Sequence, residues 1–182
     1  MQIEKLKRKI NKTERILSIY HLLMFCEEVS TRELTQLLPG SKKTFYRDIA
    51  LLKKAGVQVR YSVRRQAFTL TATKQGKPDF PESKSETRYI EKIIRLMTVM
   101  DDMPDEDCDI WYMAAIPGAS KRTMQRDFAT LAAIGYKIMY ERKTYNSHNA
   151  GFDLPTRRYY CDKPYDTYGL ATFRRDYNCE KH

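Results

Sequence analysis

The amino-acid sequence predicts an α+β protein, mainly α-helical, built from two similar small domains, each with three helices followed by a two-stranded β-hairpin. The first observation is an internal repeat: the segment SKKTFYRDIALLKKAGVQVRY, starting at Ser41, matches SKRTMQRDFATLAAIGYKIMY, starting at Ser120, at nine of 21 positions without a gap. The second is a change in hydrophobic periodicity, from helical to alternating, after the glycine of the first copy. A repeat period of about 79 residues fits two small domains and is too long for a solenoid.

Two helices are predicted ahead of the first copy. Helix 1 covers residues 12–26, where the apolar side chains recur at helical spacing: Ile16, Leu17, Tyr20 and Leu23. Ser30 and Glu33 form a capping box, because the side chain of each can satisfy a backbone donor near the other, and helix 2 follows. Helix 2 is expected to bury Leu34, Leu37 and Leu38 and to end at Pro39 and Gly40.

Helix 3 and the hairpin follow within the repeated segment. Ser41 can cap helix 3, which buries Phe45, Ile49 and Leu52 on one face, and Gly56 ends it because a positive φ is inexpensive for glycine. Beyond Gly56, apolar and polar residues alternate, which predicts a hairpin with its tip at 64–66. The alternating apolar residues are Val57, Val59, Tyr61 and Val63, then Phe68 and Leu70.

The second copy predicts the same order of elements. Its helix 1 is expected at 86–101, helix 2 at 107–116, helix 3 from Ser120 to a stop at Gly135, and strands at 136–143 and 157–161, joined by a long loop at 144–156. The intervening segment TKQGKPDFPESKS has the composition of a linker. The predicted division is a first domain at 1–72, a linker at 73–85, a second domain at 86–163 and a C-terminal tail or helix at 164–182.

Composition limits the classes of function. The chain has 33 Lys and Arg against 23 Asp and Glu, a net charge of +10, and residues 1–80 hold 17 basic and 7 acidic side chains against 16 and 16 in 81–182. A basic excess of this kind points to a polyanionic partner. The sequence has no apolar run long enough to span a membrane and no signal-peptide core, so we expect a cytoplasmic protein without a membrane partner.

Three helices followed by a hairpin form the winged helix-turn-helix, in which the third helix lies in the DNA major groove. The recognition helices are then 41–54 and 120–133, and the hairpin is the wing. Their outward-facing side chains are basic or hydrogen-bonding, which suits contacts to base edges and phosphates. The candidate DNA-binding residues are Ser41, Lys42, Lys43, Thr44, Tyr46 and Arg47 in the first helix, Arg64 and Arg65 at the first wing tip, and Ser120, Lys121, Arg122, Thr123, Gln125 and Arg126 in the second helix.

Acidic, cysteine and histidine residues do not form a catalytic or metal site in this sequence. Asp48 and Asp127 follow the outward arginines, and phosphates would repel them, so each is expected to pair with a basic residue or a backbone donor of its own domain. The chain lacks the phosphate-loop, zinc-protease and serine-hydrolase motifs, and its four cysteines and three histidines are scattered. Six acids between 101 and 109 lack calcium-loop spacing. We therefore expect no enzyme, no cofactor and no metal.

The segment STRELTQLLPGSKKTFYRDIALLKKAGVQVRY resembles the winged helix-turn-helix of DeoR-type and WYL-domain regulators, which carry a Ser-x-x-Thr-(apolar)-x-Arg-Asp pattern followed by Leu and Gly. The resemblance covers about 60 residues in each copy. It implies sequence-specific binding of double-stranded DNA by a bacterial transcription regulator, with contacts from Ser41, Lys43, Thr44, Tyr46 and Arg47 and from their partners Ser120, Arg122, Thr123, Gln125 and Arg126.

The sequence departs from these families in one respect, and it leaves alternatives open. They carry a ligand-sensing domain after a single winged unit, and none is recognisable here, so the effector is unknown. Plasmid replication initiators also place two winged domains in one chain, so a role as a replication initiator is one alternative. A further alternative makes the second unit a protein-interaction module that dimerises the chain, so a homodimer also stays open.

Overall fold

A computed structural model describes residues 10–26, 28–71, 76–102, 108–109, 119–146 and 153–162. The fold is α+β and mainly helical, and it divides into two compact units, the first ending at Ile94 and the second beginning at Arg95. The expectations for 1–9 and 164–182 lie outside the described residues, as does most of the predicted second-copy helix 2.

The first unit contains three helices and a hairpin, at the positions that the sequence predicts. Its elements in chain order are α1 (Lys12–Phe25), β1 (Val29–Ser30), α2 (Thr31–Leu37), α3 (Lys42–Lys54), β2 (Val59–Ser62) and β3 (Ala67–Leu70). The capping box at Ser30 is present, because the backbone N–H of Glu33 donates to Ser30 Oγ over 3.1 Å and the N–H of Ser30 donates to Glu33 Oε2 over 2.7 Å. Gly56 ends α3 with a φ of +94°, as expected.

The core of the first unit is formed by the helix faces that the periodicity predicts. Buried side chains on α1 include Ile16, Leu17, Tyr20 and Leu23. They are joined by Leu34, Leu37 and Leu38 from the α2 region and by Phe45, Ile49 and Leu52 from α3. Of the other α3 residues, Asp48 is also buried, and most of the rest are exposed.

The sheet of the first unit has three strands, in the antiparallel order β1-β3-β2. The sequence predicts only the hairpin, since β1 is two residues long and carries no alternating pattern; Val29 pairs with Phe68 and Ser30 with Ala67. The assignment of Val63 to the alternating strand is wrong. Val63 lies in the turn between β2 and β3 with 80% of its surface exposed, because the strand ends one residue earlier.

Helix α4 (Lys84–Asp102) begins two residues earlier than expected, inside the predicted linker at 73–85. Its first half belongs to the first unit and contacts α1 and α3. Tyr89 lies 3.3 Å from the Thr13 hydroxyl, with the Lys12 ammonium 4.8 Å from the centre of its ring, and Lys54 Nζ donates to Glu86 Oε1 over 2.7 Å. The boundary between the two compact units falls within this helix.

The segment before α4 is bonded to the end of α3. The backbone N–H of Gly76 donates to the Gly56 carbonyl over 2.7 Å, and that of Asp79 donates to the Lys54 carbonyl over 2.8 Å. A Cβ at Gly56 would lie 2.5 Å from the Gly76 carbonyl oxygen, so this approach requires glycine.

The second unit contains the rest of α4, followed by β4 (Cys108–Asp109), α5 (Lys121–Ala133), β5 (Lys137–Asn146) and β6 (Asp153–Asp162). Its strand order β4-β6-β5 repeats that of the first unit, with a short strand after the first helix paired to the last strand. Gly135 ends α5 with a φ of +103°.

Two expectations for the second unit are corrected. The predicted helix at 107–116 cannot include Cys108 and Asp109, because both pair with β6. The predicted loop at 144–156 is also too long, since Thr144 pairs with Pro155 and Asn146 with Asp153. Backbone hydrogen bonds between β5 and β6 extend the hairpin through residues that lack apolar alternation, so the periodicity predicts strands that are too short.

Candidate nucleic-acid interface

The start of α3 is fixed by its own hydroxyl groups. Ser41 Oγ accepts from the backbone N–H of Thr44 over 3.2 Å and lies 3.0 Å from Thr44 Oγ1. Ser120 and Thr123 repeat this arrangement at the start of α5 with the same two distances. An N-cap of this kind typically contributes about 1 kcal/mol to the stability of the folded protein. The Ser and Thr residues predicted to contact DNA thus also form the caps.

The outward face of α3 is basic. Lys42, Lys43, Tyr46 and Arg47 are exposed and Thr44 is half-buried, as the helical geometry around the buried Phe45 dictates. We call the first four residues the α3 face. Arg64 and Arg65 are exposed in the turn of the hairpin.

The acid within α3 is removed from this face. Asp48 keeps 2% of its side-chain surface and receives two hydrogen bonds from Arg15 of α1, from Nε to Oδ2 over 2.6 Å and from Nη2 to Oδ1 over 3.3 Å. The pairing expected for Asp48 is confirmed. This forked ion pair neutralises the carboxylate and ties α3 to α1.

Helix α5 repeats the arrangement in the second unit. Lys121, Arg122, Gln125 and Arg126 are exposed, Ser120 is exposed and Thr123 is half-buried. Asp127 keeps 2% of its side-chain surface and accepts from Arg95 Nε over 2.6 Å. The pairing expected for Asp127 is confirmed as well, so both helices carry their acid internally and their cations outside.

Arg15 and Arg95 are site residues that the sequence analysis missed. They lie 80 positions apart, one more than the offset between Ser41 and Ser120, because the chain between the first helix and the repeated helix differs in length by one residue. Extending the repeat alignment upstream with this offset would have placed the two arginines in register.

Three aromatic rings join the α3 face to the hairpin. The Tyr46 ring contacts Tyr61 edge-on at 5.5 Å between centres and Phe68 at 5.4 Å, while Tyr61 and Phe68 lie 4.8 Å apart. A side-chain hydrogen bond with Tyr61, followed by partial burial and the charge of Tyr61, raises the pKa of Tyr46 above its usual value. Tyr46 nevertheless keeps 42% of its surface exposed. No local sequence pattern indicates this cluster, because its rings come from three separate elements.

The hairpin turn carries one ion pair and one backbone anchor. Arg65 Nη1 donates to Glu28 Oε2 over 3.0 Å, with 70% and 40% of the two side chains exposed, so the pair contributes about 1 kcal/mol or less. The backbone N–H of Thr31 donates to the Gln66 carbonyl over 3.0 Å. Arg64 therefore lies on a turn that is anchored to the start of α2.

None of the helices in the described ranges is both long enough and apolar enough to cross a membrane. Among the side chains that the structure describes, no group of three or more His, Cys, Asp or Glu is arranged to hold a metal ion. Comparison of the chain with protein-family models, with curated protein sequences and with solved structures finds no match.

Proposed function

We propose that the chain binds double-stranded DNA as a tandem winged helix-turn-helix protein, with α3 and α5 as recognition helices, and that it regulates transcription. One observation carries this proposal. The acid within each of these helices is buried against an arginine of an earlier helix: Asp48 against Arg15 of α1, and Asp127 against Arg95 of α4. What remains on each outward face is cationic or neutral, in both units.

Electrostatics explains why this arrangement favours DNA. A carboxylate on a groove-facing surface would repel the phosphates on either side, whereas lysine and arginine release condensed counterions when they approach them. The major groove, about 12 Å wide, admits one helix and presents a distinct donor and acceptor pattern for each base pair. A helix with only cationic and neutral groups outside satisfies both requirements.

The residues of the first unit then take separate roles. In this proposal Lys43 and Arg47 donate to guanine O6 and N7, and the start of α3 binds a phosphate. Arg64 on the hairpin turn contacts the phosphates of the DNA backbone. Arg65 is bonded to Glu28 through Nη1, and because both side chains are exposed, exchanging this bond for one to a phosphate costs little.

The second unit is proposed to contribute less to affinity. Lys53 and Lys54 of α3 are replaced by Ala132 and Ala133 in α5. Lys54 is bonded to Glu86, so the cation that α5 lacks for a DNA contact is that of Lys53. Tethering to a bound first unit raises the effective concentration of this weaker contact. The same alanines favour the alternative, in which α5 packs against a second protein chain.

The experiment that tests the proposal is a salt titration of duplex binding by the full chain. Contacts to roughly 4 to 8 phosphates predict a log–log slope of about −4 to −7. Arg47→Gln should weaken binding and lower specificity, because its proposed contact is to a base edge. Lys84→Gln removes the same charge from α4, where no contact is proposed, and serves as the matched control. Absence of duplex binding at low salt would refute the proposal.

A further inference from the structure

The hairpin of the first unit has one strand that depends on few backbone partners. In the order β1-β3-β2, strand β3 is paired on both sides and β2 on one side only. Strand β2 leads directly into the turn that carries Arg64. The position of this turn relative to α3 therefore depends on what β2 contacts besides β3.

The side chain of Tyr46 supplies such a contact. Tyr61 of β2 and Phe68 of β3 are cross-strand partners, so their rings lie on the same face of the hairpin. Tyr46 reaches from the α3 face to both rings, edge-on. Edge-to-face pairs are favourable and directional, so the ring resists both sliding and tilting of the hairpin against the helix.

We propose that Tyr46 is a positioning residue that holds the hairpin at a fixed distance from α3, so that Arg64 and the α3 face meet the same duplex together. The inference rests on the proposed function and deepens it. Tyr46 was expected to contact DNA itself; here its principal role is to act through the hairpin.

A further feature agrees with a bridging role. The second unit has Gln125 at the position of Tyr46, so α5 offers no aromatic ring there. Because the second copy has glutamine at this position, Tyr46→Gln is a suitable variant: it removes the ring and keeps an exposed polar residue on the helix.

The test is a double-mutant cycle on DNA binding by the full chain. Arg64→Ala is measured in three backgrounds: the unmodified chain, Tyr46→Phe, which keeps the ring, and Tyr46→Gln, which removes it. We expect Arg64→Ala to weaken binding about fivefold in the first two backgrounds and about twofold or less in the third, since coupled residues deviate from additivity. Arg126→Ala, in the second unit, should weaken binding by the same factor in all three. An equal effect of Arg64→Ala in every background, or none in any, overturns the proposal.

A second measurement separates this proposal from the proposed function. In the DNA-free chain, amide hydrogen exchange in β2 should be about threefold faster or more in Tyr46→Gln than in Tyr46→Phe, because local opening of an edge strand is limited by its packing. Equal rates refute the positioning role whether or not the chain binds DNA. If the unmodified chain does not bind duplex DNA, the proposed DNA-binding function is refuted instead. If Tyr46→Gln fails to fold, Tyr46→Leu, which also removes the ring, should show the same faster exchange and the same reduced effect of Arg64→Ala.

Discussion

Removing Arg15 should destabilise the first unit severely. In Arg15→Ala the carboxylate of Asp48, with 2% of its side-chain surface exposed, loses a partner that is itself only 16% exposed and that donates two hydrogen bonds. Breaking a buried ion pair from one side typically costs about 3–5 kcal/mol, because the remaining charge stays buried and uncompensated. For a domain of this size about 3 kcal/mol corresponds to a decrease in Tm of roughly 10–25 °C.

The measurement is scanning calorimetry of the full chain with circular dichroism, in which two compact units can give two transitions. Arg95→Ala is the matched variant, and it should lower the transition of the second unit. Replacing both partners, in Arg15→Met with Asp48→Leu, should recover most of the loss, since well-packed apolar pairs often substitute for buried ion pairs. A loss below about 1 kcal/mol in Arg15→Ala would refute the reasoning, because an exposed pair loses no more than that.

Three further variants have expected outcomes. Arg47→Ala should lower specificity, measured as the affinity for a duplex selected from a random pool divided by the affinity for random duplex. The loss should be about 1–3 kcal/mol, the value of one base contact, and Arg126→Ala should lower specificity less. Equal effects of the two variants would contradict the asymmetry between the units. Gly56→Ala should destabilise by about 1–3 kcal/mol in urea titrations, because alanine at a φ of +94° is strained and its Cβ meets the Gly76 carbonyl. Burial raises the pKa of Tyr89 above its usual value, so its contribution to stability is present below about pH 10 and is lost as the pH rises through the raised pKa. The difference in tyrosinate absorbance between the unmodified chain and Tyr89→Phe should therefore titrate above pH 10, and a midpoint at or below 10 would contradict the burial.

The sequence by itself determined the local features of this protein. The caps at Ser30 and Ser41, the glycine stop at Gly56 and the buried face of α3 depend on residues within one or two helical turns of each other. Hydrogen bonding and steric limits act at that range in any tertiary context, so pattern alone predicts them. The repeat between Ser41 and Ser120 extended the same inference to α5.

The tertiary structure alone decided the features that join distant segments. Strands β1 and β4 are two residues long and form only because a later strand lies beside them. The long hairpin β5–β6 continues through polar residues for the same reason.

The partners of the candidate site belong to this second class. The sequence indicated that Asp48 would pair with a basic residue or a backbone donor of its own domain, but not with which one, and its partner Arg15 lies 33 positions away. Tyr46, Tyr61 and Phe68 converge from a helix and two strands. Side chains so far apart in the chain meet only after the helices and the sheet have packed on one core, so no local sequence pattern predicts their contact.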